Sequence, residues 1–163
     1  MECIMKKIRL YLDSTIVSAL YEPGMLERMQ ETLMLWTDIK NGKYEVVFSE
    51  VLFEELLKCK QPKKDVLLNY LNEVTVYIDV ETNTTINIIA DEIIKLGILT
   101  ANHRYDCLHI GSAIYAECDC IISWNFRHLV NYKTIKGVRV VTGIFNYKNI
   151  DILSPTMMIN KEK

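Results

Sequence analysis

Short apolar runs, rich in β-branched and aromatic residues, alternate along this chain with longer segments whose apolar residues recur every three or four positions. Strands separated by helices pair in parallel and bury both faces of their sheet, so this alternation constrains the fold more than any other feature. The runs "IRLYLD" (8–13), "YEVVFS" (44–49), "VTVYID" (74–79), "CIISW" (120–124) and "GVRVVT" (137–142) read as five strands. Between them, "STIVSAL" follows Asp13 as a helix, and Leu26, Met29, Leu33 and Trp36 form an amphipathic stripe stopped by Asn41-Gly42. Ser49 is placed to cap "EVLFEELLKC", and "KKDVLLNYLNEV" resumes a helix after Pro62. Ile86, Ile89, Ile93 and Leu96 make a stripe ending at Gly97. "DCLHIGSAIYAEC" reads as a helix opening at Asp106, whose Gly111, Ser112, Ala113 and Ala116 allow close packing on a sheet. No repeat or long linker divides residues 1–163, so a single domain is expected, with the closing "INKEK" frayed.

Charge and cysteine content narrow the partners. A formal charge of -2 gives no global attraction to nucleic acid, so any polyanion needs a local basic patch or a bound cation. Five cysteines form an odd set without framework spacing, and no apolar run approaches the roughly 20 residues that span a bilayer. The opening "MECIMKKIRLYLD" carries Arg9, meets Asp13 and lacks a small-residue cleavage site, unlike a signal peptide. A cytoplasmic protein without membrane contact is expected.

Asp13 and Asp106 each stand where a strand ends or a helix begins, at the expected carboxyl edge of the sheet, where crevices of open α/β sheets lie. Either could simply cap a helix. Glu55 has Val51, Leu52 and Cys59 as neighbours on its helix and so lies beside the apolar stripe, whereas Glu54 has Lys58 four residues on, a surface pair. Three carboxylates in one cleft repel one another unless a cation offsets their charge. Mg²⁺ or Mn²⁺ suits such oxygen ligands.

The segments "YLDSTIVSAL", "FSEVLFEEL", "YDCLHIGSAIYAECDCIISWN" and the closing "ILSP", in that order across nearly the whole chain, resemble the PIN-domain nucleases, which include the VapC-type toxins of toxin-antitoxin pairs. The resemblance implies a three-layer α/β/α fold with a short, mainly parallel sheet of about five strands. It also implies metal-dependent hydrolysis of RNA phosphodiester bonds. The family's acids carry over onto Asp13, Glu55 and Asp106 as catalytic groups and metal ligands. Its fourth acid falls at Asn125, a neutral amide whose carbonyl can still accept a bond from a metal-bound water. Ser14, Thr15, Ser123, Arg127 and His109 are the expected substrate contacts, and the partners implied are RNA, an antitoxin protein and a second copy of the chain. Self-association would use the helix with Met25, Met29, Leu33, Met34 and Trp36, which core packing also explains.

Plainer readings stand beside these. Ser14 and Thr15 serve equally as hydroxyls at a helix start. His109, three residues after Asp106, could orient that carboxylate or be a structural histidine. His103, Arg104, Arg127 and His128 could meet phosphate or be solvated loop residues. The basic run "KCKQPKK" (58–64) could track an RNA backbone or be a solvated face. Cys107, Cys118 and Cys120 with His109 are better read as buried core than as a zinc site. The alternative to an enzyme is a non-catalytic PIN-fold domain binding RNA or protein, its acidic site degenerate at Asn125. Phosphatase chemistry would want an acid where Thr15 stands, and no phosphate-binding G-x-x-x-x-G-K-[ST] loop is present.

Overall fold

The computed structural model describes residues 5–159; Cys3 and all but the first residue of the closing "INKEK" lie outside them. The chain runs β1 (Arg9–Leu12), α1 (Ser14–Ala19), α2 (Leu26–Lys40), β2 (Glu45–Ser49), α3 (Glu50–Leu57), α4 (Lys63–Asn72), β3 (Ile78–Val80), α5 (Thr84–Lys95), α6 (Arg104–Tyr115), β4 (Cys120–Ile122), α7 (Tyr132–Ile144), β5 (Asp151–Leu153) and α8 (Pro155–Met158). A 3-10 turn at Ala101–His103 leads into α6.

All five strands are parallel, in the order β3-β2-β1-β4-β5. Side chains alternate across the pleat. Leu10, Leu12, Val46, Phe48, Cys120 and Ile122 join one buried cluster with residues of α1 to α4. Tyr11, Val47, Ile121 and Ile152 join a second with residues of α5 to α7. The result is the expected three-layer α/β/α sandwich. From β1 the chain builds toward β3 on one side and, through β4, toward β5 on the other. The reversal of direction leaves a crevice at the carboxyl ends of β1 and β4.

Two strand expectations are corrected. Residues 137–142 lie inside α7, and the fifth strand is Asp151–Leu153. The branched run "GVRVV" favours a strand locally, but Asn131 caps the helix by accepting from the Thr134 amide at 3.0 Å, and Thr134, Val138, Val141 and Thr142 turn a helical stripe into the core. A β-carbon at Gly137 would lie 2.6 Å from the Ile98 side chain, so glycine lets α7 approach there. The third strand covers only 78–80, because Val74 closes α4 and Val76 is 86% exposed. Gly111 likewise serves a helix contact rather than a sheet contact, since a β-carbon there would stand 2.9 Å from the Ile86 carbonyl oxygen on α5.

The expected caps are present: Ser49 accepts from the Leu52 amide at 3.2 Å, and Gly42 and Gly97 take positive φ after α2 and α5. Trp36 and Leu35 of α2 are buried, whereas Met25 and Met34 are exposed. Among the described residues, no helix is long and apolar enough to cross a membrane.

Candidate functional site at the carboxyl edge of the sheet

Asp13 leaves the end of β1 and caps α1, and it is also the most enclosed carboxylate of the edge, at 2% exposure. Its Oδ1 accepts from the Thr15 hydroxyl at 2.5 Å and from the amides of Thr15 and Ile16 at 3.1 and 3.3 Å. Its Oδ2 accepts from the Ser123 hydroxyl at 2.5 Å, joining β1 to the end of β4 across the crevice. The Thr15 hydroxyl accepts in turn from the Trp124 amide, and the Ser123 hydroxyl from the Asn125 amide, both at 2.9 Å. Capping and site building are therefore one arrangement. Burial pushes the Asp13 carboxyl above its ordinary range, and His109 and the bonds from Ser123 and Thr15 offset only part of that.

Glu55, on α3, is 27% exposed and opens into a cleft of about 250 Å³ with Ser14, Thr15, Ser18, Glu22 and Arg28. Its Oε1 is hydrogen-bonded to His109 Nε2. Behind it, His109 Nδ1 lies 2.6 Å from the Tyr11 hydroxyl, itself 2.6 Å from the Ser49 hydroxyl. The bonds form one chain, in which His109 Nε2–H donates to Glu55, Nδ1 meets the Tyr11 hydroxyl, Tyr11 meets the Ser49 hydroxyl, and Ser49 accepts from the Leu52 amide. Burial alone would raise the Glu55 carboxyl, but the bond from His109 and the Ser14 hydroxyl outweigh it and hold Glu55 below the usual carboxylate range. Glu54 is exposed, as expected of the bland acid of the pair.

Asp106 lies in the first turn of α6 rather than at its cap, which falls on His103. At 21% exposure, its Oδ2 is 3.0 Å from His128 Nδ1, and its Oδ1 accepts weakly from the Asn125 amide nitrogen at 3.5 Å. Asn125 Oδ1 accepts from the His128 amide at 3.0 Å, so the turn after β4 brings both residues to Asp106. His128 Nε2 lies 3.0 Å from His103 Nε2, and Thr100 Oγ1 lies 3.4 Å from His103 Nδ1. These bonds extend Asp106 outward to a cleft rimmed by Arg127 and Lys133.

Several expected roles move. His109 is 1% exposed and Ser123 fully buried, so in this arrangement both touch a site acid and not solvent; His109 holds Glu55 rather than Asp106. Arg104 turns away to Asp91 and Asn87 on α5. Lys58 meets the Tyr105 hydroxyl instead of Glu54. Cys107, Cys118 and Cys120 are free, buried thiols, with burial pushing Cys118 up to about 12. Tyr11 carries a signal of its own in the sequence: a lone hydroxyl within an apolar strand must find a partner when buried.

The donors at this edge are carboxylate, hydroxyl and amide oxygens, a set whose chemistry suits a hard divalent cation. Among the described residues, however, no three acidic, histidine or thiol groups converge closely enough to hold one ion. Asp13 is turned to hydroxyls, Glu55 to His109 and Asp106 to His128. Sharing an ion would require them to turn from these partners toward one another.

No protein-family model and no curated protein matches this chain. Among solved structures, the chain is similar in fold to one in the crystal structure of VapBC2 from Rickettsia felis bound to a DNA fragment from their promoter. The likeness has a TM-score of 0.53 at 12% identity and covers 90% of this chain and 98% of that one. It shows a shared three-layer α/β/α fold.

Proposed function

We propose that this chain is an endoribonuclease of the PIN type that depends on Mg²⁺ or Mn²⁺ and acts as the toxin of a toxin-antitoxin pair. The observation that carries the reading is the bond between Asp13 and Ser123 across the crevice between β1 and β4, with Glu55 on α3 and Asp106 on α6 at the same edge. Asp13, Glu55 and Asp106, with the carbonyl of Asn125, are the groups that would hold the cation. When bound, it supplies Lewis-acid stabilisation of charge on the phosphate. Thr15 and Ser123 fix the buried carboxylate of Asp13. His109 keeps Glu55 ionised and oriented, ready to take a proton from an attacking water. The hydroxyl of Ser14 and the side chain of Arg127 are proposed substrate contacts. A VapBC-like arrangement would supply a DNA-binding antitoxin as partner, and a small open reading frame beside this one encoding such a protein would support it.

A second reading, a non-catalytic RNA- or protein-binding domain, draws on the near-complete enclosure of Asp13 and on the separate partner given to each acid. Purified protein is incubated with mixed single-stranded RNAs, with Mg²⁺ or with chelator. Cleavage that requires the metal and disappears in Asp13→Asn supports the nuclease. Cleavage surviving chelation, or none at any metal concentration, sinks it.

A further inference from the structure

Among the described residues, some cations are held by acids and others by neutral groups, the latter including Lys136 over the Tyr132 ring at 5.7 Å, away from the site. Arg9, Lys40, Lys43, Arg104 and Lys148 sit in ion pairs with Glu45, Glu73, Asp38, Asp91 and Asp119. Lys58, Lys63 and Arg28 are also held in place, but by neutral groups. The Lys58 ammonium lies 4.3 Å over the Tyr105 ring and bonds its hydroxyl, Lys63 donates to the Ser18 hydroxyl at 2.8 Å, and the Arg28 guanidinium lies 5.1 Å over Trp124. Among the described residues, none of the three forms an ion pair. Each holding group belongs to the site or its immediate border: Tyr105 precedes Asp106, Ser18 lines the cleft that Glu55 enters, and Trp124 donates its amide to Thr15.

A cation fixed by a hydroxyl or a ring keeps its full charge for another partner and loses little further freedom when it binds one. Arg28 lines the cleft together with Glu22 and Glu55, Lys63 reaches its border through Ser18, and Lys58 stands within electrostatic range of Glu55, so an anion at this rim meets cations that flank the acids. A partner with phosphates at regular intervals fits such a rim, and the local charge supplies the attraction that a net charge of -2 does not. We infer that Lys58, Lys63 and Arg28 form a track for the phosphate backbone of single-stranded RNA, passing the carboxyl edge between Tyr105 and Ser18. This rests on the ribonuclease reading for the identity of the polyanion.

The test measures binding apart from cleavage. A fluorescent mixed-sequence oligoribonucleotide is titrated with the full-length Asp13→Asn protein over a series of salt concentrations. Adding Lys58→Gln, Lys63→Gln and Arg28→Gln should weaken binding at least tenfold together. Each should flatten the slope of log affinity against log salt by about 0.7, the value for one lost contact to a single strand. Lys58→Arg and Lys63→Arg should restore the slope, while Lys40→Gln with Lys148→Gln should leave it unchanged. An unchanged slope in the triple variant, or an equal loss in the Lys40/Lys148 variant, overturns the track even if the unsubstituted protein cleaves RNA. Failure of the unsubstituted protein to cleave, with the slope changes intact, overturns the nuclease reading and leaves the track.

Discussion

The two ends of the sheet treat charge in opposite ways. At the amino edge, Arg9 donates to Glu45 at 2.9 Å and its amide to Asp119 at 2.7 Å, and Lys148 completes Asp119 at 2.8 Å. Acids there meet cations, and Asp119 is held below its ordinary range: burial pulls it upward, but the Arg9 amide and Lys148 prevail. At the carboxyl edge, acids meet hydroxyls and imidazoles, and the nearby lysines meet hydroxyls and a ring. The first edge is electrically closed and serves stability. At the second, Asp13, Glu55 and Asp106 form no ion pair with a lysine or arginine among the described residues, as the proposed site would require, and enclosing an unneutralised carboxylate there costs stability.

The strongest way to break this contrast is Asp13→Asn. Cleavage should be abolished while the fold becomes more stable, because asparagine can still cap α1 and donate to Ser123 without a buried charge. The folded state raises the Asp13 pKa, so the wild type is favoured in acid and loses that advantage as pH rises through the folded value. With chelator present, the melting-temperature gain of Asp13→Asn should therefore grow from acid toward neutral pH. A loss of stability at neutral pH would mean that the carboxylate is not the burden described.

Next in size is Tyr11→Phe, which removes one oxygen and leaves His109 Nδ1 and the Ser49 hydroxyl without their buried partner. A destabilisation of about 1–3 kcal/mol is expected in denaturant unfolding. A large fall in cleavage should accompany it, like that of Glu55→Gln, whereas Glu54→Gln should cleave normally. Equal, mild effects at both glutamates would place the functional acid on the wrong face of α3.

Asn125→Asp should act more gently. Its new carboxylate would face Asp106 across the gap now spanned at 3.5 Å, lowering stability without metal and tightening Mg²⁺ binding, seen as less Mg²⁺ for half-maximal thermal stabilisation. Asn125→Ala should weaken binding modestly. Metal affinity indifferent to both substitutions would leave Asn125 as the residue that holds the turn at His128.

The smallest effect on cleavage, none, is expected from Asp119→Asn. Because the folded state lowers this pKa, its contribution to stability is present above the unfolded value and lost as pH falls through the folded one. The variant should melt slightly below wild type at neutral pH and converge with it in acid. A cleavage defect here would show that the two edges are coupled.

Much of the carboxyl edge was legible because its signals are local. Asp13 ends a branched strand and begins a helix, and Glu55 sits three and four residues from apolar neighbours, so strand end and helix face follow from periodicity. Residues 137–142 misled because branched residues favour strands only weakly, and a cap at Asn131 with a buried stripe from Thr134 to Thr142 outweighed that preference. The polarity of Ser123 and His109 tells that each needs a partner and not which one; the partners are Asp13 and Glu55.

The sequence by itself determined the alternation of strands and helices through the fourth strand, the two-sided burial of the sheet, the strand end on which Asp13 stands and the helix face that carries Glu55. Each depends on residues a few positions apart. Only the tertiary structure decided what each acid touches: Ser123 reaches Asp13 across 110 residues, His109 reaches Glu55 across 54, and Tyr11 reaches His109 across 98. Hydrogen bonds act over about 3 Å, so such pairings exist only once strand order and helix packing have set distant segments side by side.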